Sequence, residues 1–339
     1  MLPRALVHVD EAACERAANV LRSSAVPDDR EDSPLTDLSS EEIGNFYLFT
    51  VAICHQTSPV GQAPLQGEVS GVLKRGWDYL TARFEAVVHD DLKLLTPYRW
   101  RMLRGSEIAT IFRDRRFGDL LTNPEGRADL IRDLGDRMVA NDWEFADDLF
   151  AASGGRVGSG QPNLLELLQQ FRAYRDPVRK KSLFFLALMR NHGLWKYPDE
   201  DRLGAPADYH EVRGHLRLGT VKVDDSRLAA KLYNQEAVSE EEDLAIRTAV
   251  SDAIALVAEK GLLRSPSQAH YLFWNVFRSC CLREEPHCIE CPPTCSLPER
   301  YVKLAIQANP VRRCLFGGVC ESAHRKPRFY EHVFETDYY

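Results

Sequence analysis

The sequence lacks the features of a membrane or secreted protein. No apolar run approaches the roughly 18 residues that a spanning helix needs, and the N-terminus Met-Leu-Pro-Arg lacks the apolar core of a signal peptide. Internal repeats and runs of alternating strands are also absent. The glycine-rich loop at 152–162 is not followed by the Gly-Lys-Ser/Thr of a phosphate-binding P-loop. These absences favour a soluble, cytoplasmic protein with no membrane partner.

Basic residues are also fewer than acidic ones. The chain has 43 Lys and Arg against 50 Asp and Glu, a net charge of −7, and therefore lacks the global basic field that is typical of nucleic-acid binders. Binding to DNA would depend on a local patch, and residues 300–328 are rich in Arg and Lys. Such a run is more often a solvated surface. Its candidate phosphate contacts are Arg312, Arg313, Arg325 and Lys326.

Helical periodicity dominates what is present. With 339 residues and 44% hydrophobic content, the chain can bury a large core. Apolar residues recur at three- and four-residue spacing, throughout 70–150 in particular, so the predicted fold class is all-α. We expect one two-lobed domain, monomeric, with a central lobe at about 60–205 and a second lobe formed by 1–59 and 206–339. Four further helices are predicted at 1–25, 45–59, 178–190 and 266–280.

The stretch 205–221 carries the strongest signal. A Pro-containing loop precedes Asp208. Val212 and Leu216 then follow at helical spacing, and Gly219 is a typical residue for ending a helix. Asp208 is therefore predicted at a helix N-terminus. The simplest interpretation is an N-cap, which accepts a backbone N–H and contributes about 1 kcal/mol without doing chemistry.

The order of residue types adds a second interpretation. Asp-x-His-x-Val-Arg-x-x-x-Arg-Leu-Gly resembles the V-D-T-H-V-x-R-x-x-x-R-L-G signature of helix-hairpin-helix DNA glycosylases. The Asp, His, both Arg, Leu and Gly keep the family spacing, while Val212 is displaced by one position. In that family the Asp stands beside the sugar of an extruded nucleotide. The resemblance implies that Asp208 is catalytic and that Tyr209 and His210 line the base pocket.

Two other stretches resemble the same family. Ala-Ile-Cys-His-Gln-Thr at 52–57 is similar to its L-S-x-Q-T segment, which implies that Gln56, with His55 beside it, faces the gap left by the flipped base. Lys181-Ser-Leu loosely matches its K-T-A segment, which implies a phosphate contact or an amine nucleophile at Lys181. The glycine hairpin that precedes this lysine in the family is missing. Trp195 is a further candidate for the pocket lining.

A related branch, the queuosine-salvage nucleotide glycosylases, shows similar short blocks. They are Ala173-Tyr-Arg-Asp176, Ala207-Asp-Tyr-His210 and the C-terminal Tyr338-Tyr339. The resemblance consists of short motifs spread over residues 45–339. It implies cleavage of the glycosidic bond of a modified nucleotide.

Five of the nine cysteines lie between residues 280 and 295, and such clustering favours a metal site over a disulfide framework. The spacing Cys281-x6-Cys288-x2-Cys291-x3-Cys295 is similar to the C-x6-C-x2-C-x5-C of iron–sulfur DNA glycosylases. Four thiolates suit either a [4Fe–4S] cluster or Zn²⁺. Cys280, or Cys314 and Cys320, are alternative ligands.

These observations lead to one expectation with two alternatives. A carboxylate beside C1′ stabilises the oxocarbenium-like sugar of glycosidic cleavage, so we expect a DNA glycosylase that removes a modified base. A hypermodified base in phage DNA, and hence antiviral defence, is one candidate. The alternatives are a queuosine 5′-phosphate-type nucleotide glycosylase and a non-catalytic, metal-stapled DNA-binding protein.

Overall fold

The computed structural model describes residues 5–30, 33–292, 295–308 and 313–339. This part of the chain is mostly helical, as expected, and also contains two small sheets. The helices are α1 (Glu11–Arg22), α2 (Ser40–Ala52), α3 (Gly76–Asp90), α4 (Pro97–Trp100), α5 (Gly105–Ile111), α6 (Pro124–Ala140), α7 (Ala146–Ala152), α8 (Leu164–Leu168), α9 (Lys180–Asn191), α10 (Tyr209–Leu218), α11 (Ser226–Asn234), α12 (Glu240–Lys260), α13 (Pro266–Cys280) and α14 (Glu299–Ala308). The strands are β1 (Val7–Val9), β2 (Gln66–Val69), β3 (Val72–Arg75) and β4 (Val221–Val223).

Contacts divide the chain into two compact units. Unit 1 comprises the described residues of Met1–Asp29 and Asp201–Phe334, and unit 2 comprises those of Arg30–Glu200 and Glu335–Tyr339. The boundaries differ from the expected lobes, because residues 30–59 belong to unit 2. Helix α2 explains this difference. It is buried from Ile43 to Ala52 and packs against α3, α6, α7 and α9 of the same unit, as a helix that is apolar all round must.

The long helix α12 forms the centre of unit 1. It packs against α1, α10 and α13, and α10 also packs against α13. Strands β1 and β4 pair antiparallel beside these helices, with Val7 opposite Val223 and Val9 opposite Val221. The sequence did not predict this sheet, because three-residue strands carry too little periodicity and the partners are far apart along the chain.

Unit 2 has an aromatic core and one hairpin. Phe49 stacks on Phe84 with ring centroids 4.3 Å apart. Strands β2 and β3 form a hairpin whose turn residues Ser70 and Gly71 have φ of 51° and 76°. Positive φ at both positions is typical of the tight turn that matches strand twist. The prediction that residues 70–150 are helical throughout is therefore wrong at this hairpin.

Helix starts were predicted with mixed success. Helix α13 begins at Pro266 with Ser265 as its N-cap, which confirms the prediction. Helix α9 begins at Lys180 rather than 178, because the Asp176 carboxylate accepts the Val178 and Lys180 amides and Arg179 has φ of 61°. The chain makes a turn there before the helix starts. The first predicted helix begins only at Glu11, after β1.

Candidate functional site

Asp208 is the N-cap of α10, as predicted. Its Oδ1 accepts the backbone N–H of His210 at 2.7 Å and that of Glu211 at 3.2 Å. The Glu211 carboxylate accepts the Asp208 N–H at 3.2 Å, which completes a capping box. At the other end, Gly219 ends the helix with φ of 91°, a conformation that favours glycine.

A side chain from α13 completes the surroundings of this carboxylate. Trp274 Nε1 donates to Asp208 Oδ2 at 3.0 Å. Asp208 thus receives three N–H donors, two at Oδ1 and one at Oδ2, while remaining half-buried rather than enclosed. These donors fix the orientation of the carboxylate. The Arg278 guanidinium lies over the Trp274 ring, 4.5 Å from its centroid, in a cation–π contact.

Glu211 is a buried member of this site. Its side chain has no exposed surface, and His270 Nδ1 lies 2.7 Å from Glu211 Oε1. His270 is on α13 one turn before Trp274, so the two residues face α10 together. Because Glu211 also bonds the Asp208 amide, the His270 contact helps to orient the helix start.

Tyr209 and His210 also lie at the start of α10, and both are half-buried. Their ring centroids are 4.2 Å apart, and Arg213 Nη2 lies 2.9 Å from His210 Nδ1. Burial, followed by the positive charge of Arg213, holds the pKa of His210 well below 6.5. The imidazole is therefore neutral at pH 7. It can form hydrogen bonds but carries no positive charge.

The two arginines of the motif hold the backbone that follows α13. Arg213 Nε donates to the Cys281 carbonyl at 2.7 Å, and Arg217 donates to the Leu282 and Arg283 carbonyls at 2.7 and 2.8 Å. The four-residue spacing of the arginines puts both on one face of α10. Arg213 also pairs with buried Glu331 at 2.8 Å, and this charge holds the pKa of Glu331 down to about 2 against the opposing effect of burial.

The four predicted metal ligands differ in exposure. Cys281 is buried, Cys288 and Cys291 are half-buried, and Cys295 is exposed. Within the described ranges, no three Cys, His, Asp or Glu side chains are grouped as ligands of one metal ion.

Two later cysteines lie close to the first two. The charges of Cys281 and Cys314 act on the Cys288 thiol, and those of Cys281, Cys288 and Cys314 act on the Cys320 thiol. Burial and these neighbours raise the pKa of Cys288 to about 11 and that of Cys320 to about 12. The sequence offered Cys314 and Cys320 only as alternative ligands.

A second group of predicted residues lies together in unit 2. Lys181 Nζ has no exposed surface, donates to the Ala52 carbonyl at 2.5 Å and lies 3.2 Å from His55 Nδ1. His55 Nε2 lies 3.3 Å from a carboxylate oxygen of Asp337. The half-buried Gln56 donates its backbone N–H to the Tyr339 carbonyl at 3.0 Å.

Burial changes the protonation of this group. It lowers the pKa of Lys181 to about 7, with the charges of Lys180 and Arg127 acting in the same direction. It also holds the pKa of His55 well below 6.5, assisted by Lys181. An amine of this pKa is chemically reactive. In the structure this amine is enclosed, with the Ala52 carbonyl and His55 as its neighbours.

Trp195 lies elsewhere in unit 2 and is only 4% exposed. Its ring packs against Phe150 and Phe185 at centroid distances of 4.9 and 5.4 Å, and its Nε1 donates to Asp147 at 2.7 Å. These contacts are those of a core residue with a satisfied polar atom. They give Trp195 no surface with which to line a base pocket.

The predicted basic residues lie in the C-terminal part of unit 1. Arg325 and Lys326 are exposed and Arg313 is half-buried, whereas Arg312 lies outside the described residues. The backbone N–H of Arg325 donates to the Ser322 carbonyl, so this exposed pair is carried on a turn.

Sequence reasoning missed Glu211, His270 and Trp274 as members of the Asp208 site. Signals for them were present: Asp208 and Glu211 have the spacing of a capping box, and His270, Trp274 and Arg278 recur every fourth residue. What the sequence could not supply was the contact between α10 and α13.

Comparison with known proteins adds no family assignment. No family model matches the sequence, and a search of curated proteins found no match. As for membranes, the helices in the described ranges are all too short or too polar to span one.

Proposed function

We propose that this protein is an N-glycosylase with a two-lobed, helix-hairpin-helix-type fold that releases a modified base from DNA and leaves an abasic site. The observation that carries the proposal is the half-buried Asp208 carboxylate, held by three N–H donors at the start of α10. The order of residue types along α10, which resembles the glycosylase signature, supports the same chemistry.

Cleavage of an N-glycosidic bond builds positive charge on the sugar as the base departs. A fixed carboxylate stabilises that charge without having to reorganise. Asp208 accepts three N–H groups and lies at the positive end of the α10 dipole. In this proposal Asp208 lies beside C1′ and orients the attacking water, while Tyr209 and the neutral His210 contact the extruded nucleotide.

Lys181 is assigned a positioning role in the proposal. Its amine has no exposed surface and contacts Ala52 and His55, so neither attack on C1′ nor contact with a phosphate is assigned to it. Release of the base would then occur by hydrolysis, with no covalent intermediate on a lysine.

The polymer substrate is supported by exposed positive charge on a chain of net charge −7. Arg325 and Lys326 are exposed in unit 1 and are available to phosphates. A metal bound by the cysteines would cross-link the backbone that Arg213 and Arg217 hold, and it takes no part in the proposed reaction. The base is proposed to be a bulky modified one, as in hypermodified phage DNA, and the cellular role to be defence.

The deciding experiment measures free base by mass spectrometry. The substrates are ordinary DNA, damaged DNA, hypermodified phage DNA and queuosine 5′-monophosphate, each incubated with wild type and Asp208→Asn. We expect release from a modified DNA, reduced about 100-fold or more in the variant because asparagine keeps the cap but carries no charge.

Asp225 provides a matched control. It caps α11 through two backbone N–H groups at 2.9 and 2.8 Å, much as Asp208 caps α10. Asp225→Asn should leave base release unchanged. Release from the mononucleotide alone would reassign the protein to nucleotide salvage. Tight DNA binding without release, unaffected by Asp208→Asn, would favour the non-catalytic alternative.

A further inference from the structure

Two stacked aromatic rings lie at the surface of unit 1. Tyr233, in the last turn of α11, and Phe329 have ring centroids 4.3 Å apart and planes 18° from parallel, and we call them the aromatic pair. Tyr233 remains 37% exposed although Phe329 stacks on one face of its ring. Within the described residues, the Tyr233 hydroxyl has no hydrogen-bond partner and no second ring contacts Tyr233. Part of this ring is therefore accessible to a ligand.

Contacts to neighbouring elements hold the aromatic pair in place. The Tyr330 backbone N–H donates to the Leu232 carbonyl at 3.2 Å, so residues adjacent to the two rings are bonded to each other. Arg217 of α10 donates through Nε to the Phe329 carbonyl at 2.7 Å, and its guanidinium lies 5.7 Å from the centroid of the Tyr330 ring. A ring that is fixed before binding loses little conformational entropy when a ligand stacks on it. The aromatic pair is pre-organised in this sense.

Exposed positive charge lies next to the aromatic pair. Arg325 and Lys326 are exposed, and in the described part of the chain neither side chain forms an ion pair. Lys326 precedes Phe329 by three residues, and three residues span at most about 11 Å. Residues 322–330 include no acid. The aromatic pair and the two cations therefore share one short stretch of surface.

Acidic side chains around this stretch have partners of their own. Glu321 pairs with Arg16 at 3.2 Å and also with Lys222. Glu236, which follows α11, accepts an N–H of the Asn234 amide at 3.0 Å. Neither carboxylate is paired with the two exposed cations.

A single strand of nucleic acid offers a partner for both kinds of side chain. Its phosphates attract exposed cations, and its unpaired bases stack on aromatic rings. In a duplex the bases are stacked on one another, so a protein ring reaches a base face only after the base has left the stack. Aromatic rings beside cations therefore favour a single strand over a duplex.

We propose that the aromatic pair, Arg325 and Lys326 form a binding surface for single-stranded DNA. A base stacks on the exposed part of Tyr233, Phe329 supports the tyrosine ring, and the two cations contact phosphates. The inference deepens the proposed function, since the choice of DNA as the polymer rests on that function. It adds that the substrate is bound in single-stranded form.

The first test compares three ligands of the full-length chain by fluorescence anisotropy. They are a labelled strand of mixed sequence, its matched duplex and a fully abasic strand of the same length. We expect wild type to bind the intact strand about fivefold or more tightly than the abasic strand, because stacked bases add to affinity, and to prefer it to the duplex. Equal affinity for the intact and abasic strands, tighter binding of the duplex, or no binding at all would overturn the inference.

Variants of Tyr233 then test the ring itself. Tyr233→Ala should weaken binding of the intact strand by about fivefold or more and leave binding of the abasic strand unchanged. Its salt dependence should remain that of wild type, because stacking releases no counterions. Tyr233→Phe keeps the ring and should keep the affinity.

Tyr98 provides a matched control, because it is a 68% exposed tyrosine of α4 in unit 2. Tyr98→Ala should leave both affinities unchanged, and circular dichroism verifies that each variant is folded. Equal losses for intact and abasic strands in Tyr233→Ala would show a structural effect and overturn the stacking role.

Base release is measured in the same samples. Release from modified DNA together with tighter binding of the duplex would overturn this inference and leave the proposed function in place. Binding of the single strand that depends on the Tyr233 ring, without release of any base, would overturn the proposed function and support the binding surface.

Discussion

Asp208 and Asp225 occupy the same capping position in two helices of unit 1, yet their surroundings differ. Each Oδ1 accepts two backbone N–H groups. Within the described residues, Trp274 reaches Asp208 Oδ2, and no corresponding donor reaches Asp225. A helix cap does not require this third donor. The indole contact is therefore the feature at residue scale that distinguishes Asp208, the proposed catalytic carboxylate, from the cap at Asp225.

Lys181 gives a prediction about pH. Burial lowers its pKa from 10.5 to about 7 in the folded protein. Between these values the unfolded chain holds a proton that the folded protein has released, so Lys181 makes the free energy of unfolding rise with pH. The full interval corresponds to roughly 5 kcal/mol. Lys181→Met should remove that slope, and urea unfolding of both proteins at several pH values between 7 and 10 measures it.

The exposed Lys303, which pairs with Glu299 at the surface, serves as the control. Lys303→Met should leave the pH dependence close to that of wild type, because the Lys303 side chain is already exposed to solvent in the folded protein. A stability difference between wild type and Lys181→Met that stays constant with pH would show that the buried amine keeps its proton in the folded protein.

At the scale of elements, α10 connects the candidate carboxylate to the segment that follows α13. Asp208 caps its N-terminus, Arg213 and Arg217 bind the backbone after α13, and Gly219 ends it. Gly214 faces α13, where a Cβ would lie 2.0 Å from the Phe277 ring. Helix α10 can therefore carry Asp208 and also bind the backbone after α13 only because Gly214 lets it approach α13 closely.

Gly214→Ala tests this packing. Alanine favours an isolated helix by up to about 1 kcal/mol over glycine, but here its methyl group overlaps Phe277. We expect a net loss of about 2 kcal/mol in the free energy of unfolding, measured with urea. In a Phe277→Leu background the same substitution should cost clearly less. An equal cost in both backgrounds would place the strain somewhere other than at Phe277.

At the scale of the whole molecule, unit 2 is an insertion in the sequence of unit 1. The chain leaves unit 1 at Asp29 and returns at Asp201, and residues 335–339 belong to unit 2 again. The net charge of −7 makes the molecule as a whole repel DNA. In the proposed function, affinity for DNA therefore comes from a few exposed cations.

The salt dependence of DNA binding tests that statement. The double variant Arg325→Ala, Lys326→Ala should reduce the slope of log affinity against log salt by about 2, because each phosphate contact contributes about 1. Fluorescence anisotropy with a modified duplex measures this slope. Arg115, exposed in unit 2, is the control, and its replacement by alanine should leave the slope unchanged. An equal reduction in all variants would indicate diffuse attraction without a patch.

Features set by neighbouring residues could be predicted from the sequence alone. The mostly helical class, the start of α10 at Asp208, its end at Gly219 and the start of α13 at Pro266 follow from local capping and backbone geometry. The local rules failed at Asp176, which was expected to cap a helix beginning at 178. Its carboxylate instead accepts the Val178 and Lys180 amides and stabilises a turn before α9.

Only the tertiary structure decided which distant residues meet. It brought Trp274 and His270 of α13 to the start of α10, paired β1 with β4, buried Lys181 beside His55, and placed Gly317 against the backbone of Cys288. Each of these contacts joins segments far apart in the chain. Such contacts arise from the packing of whole helices, which no local pattern of residues specifies.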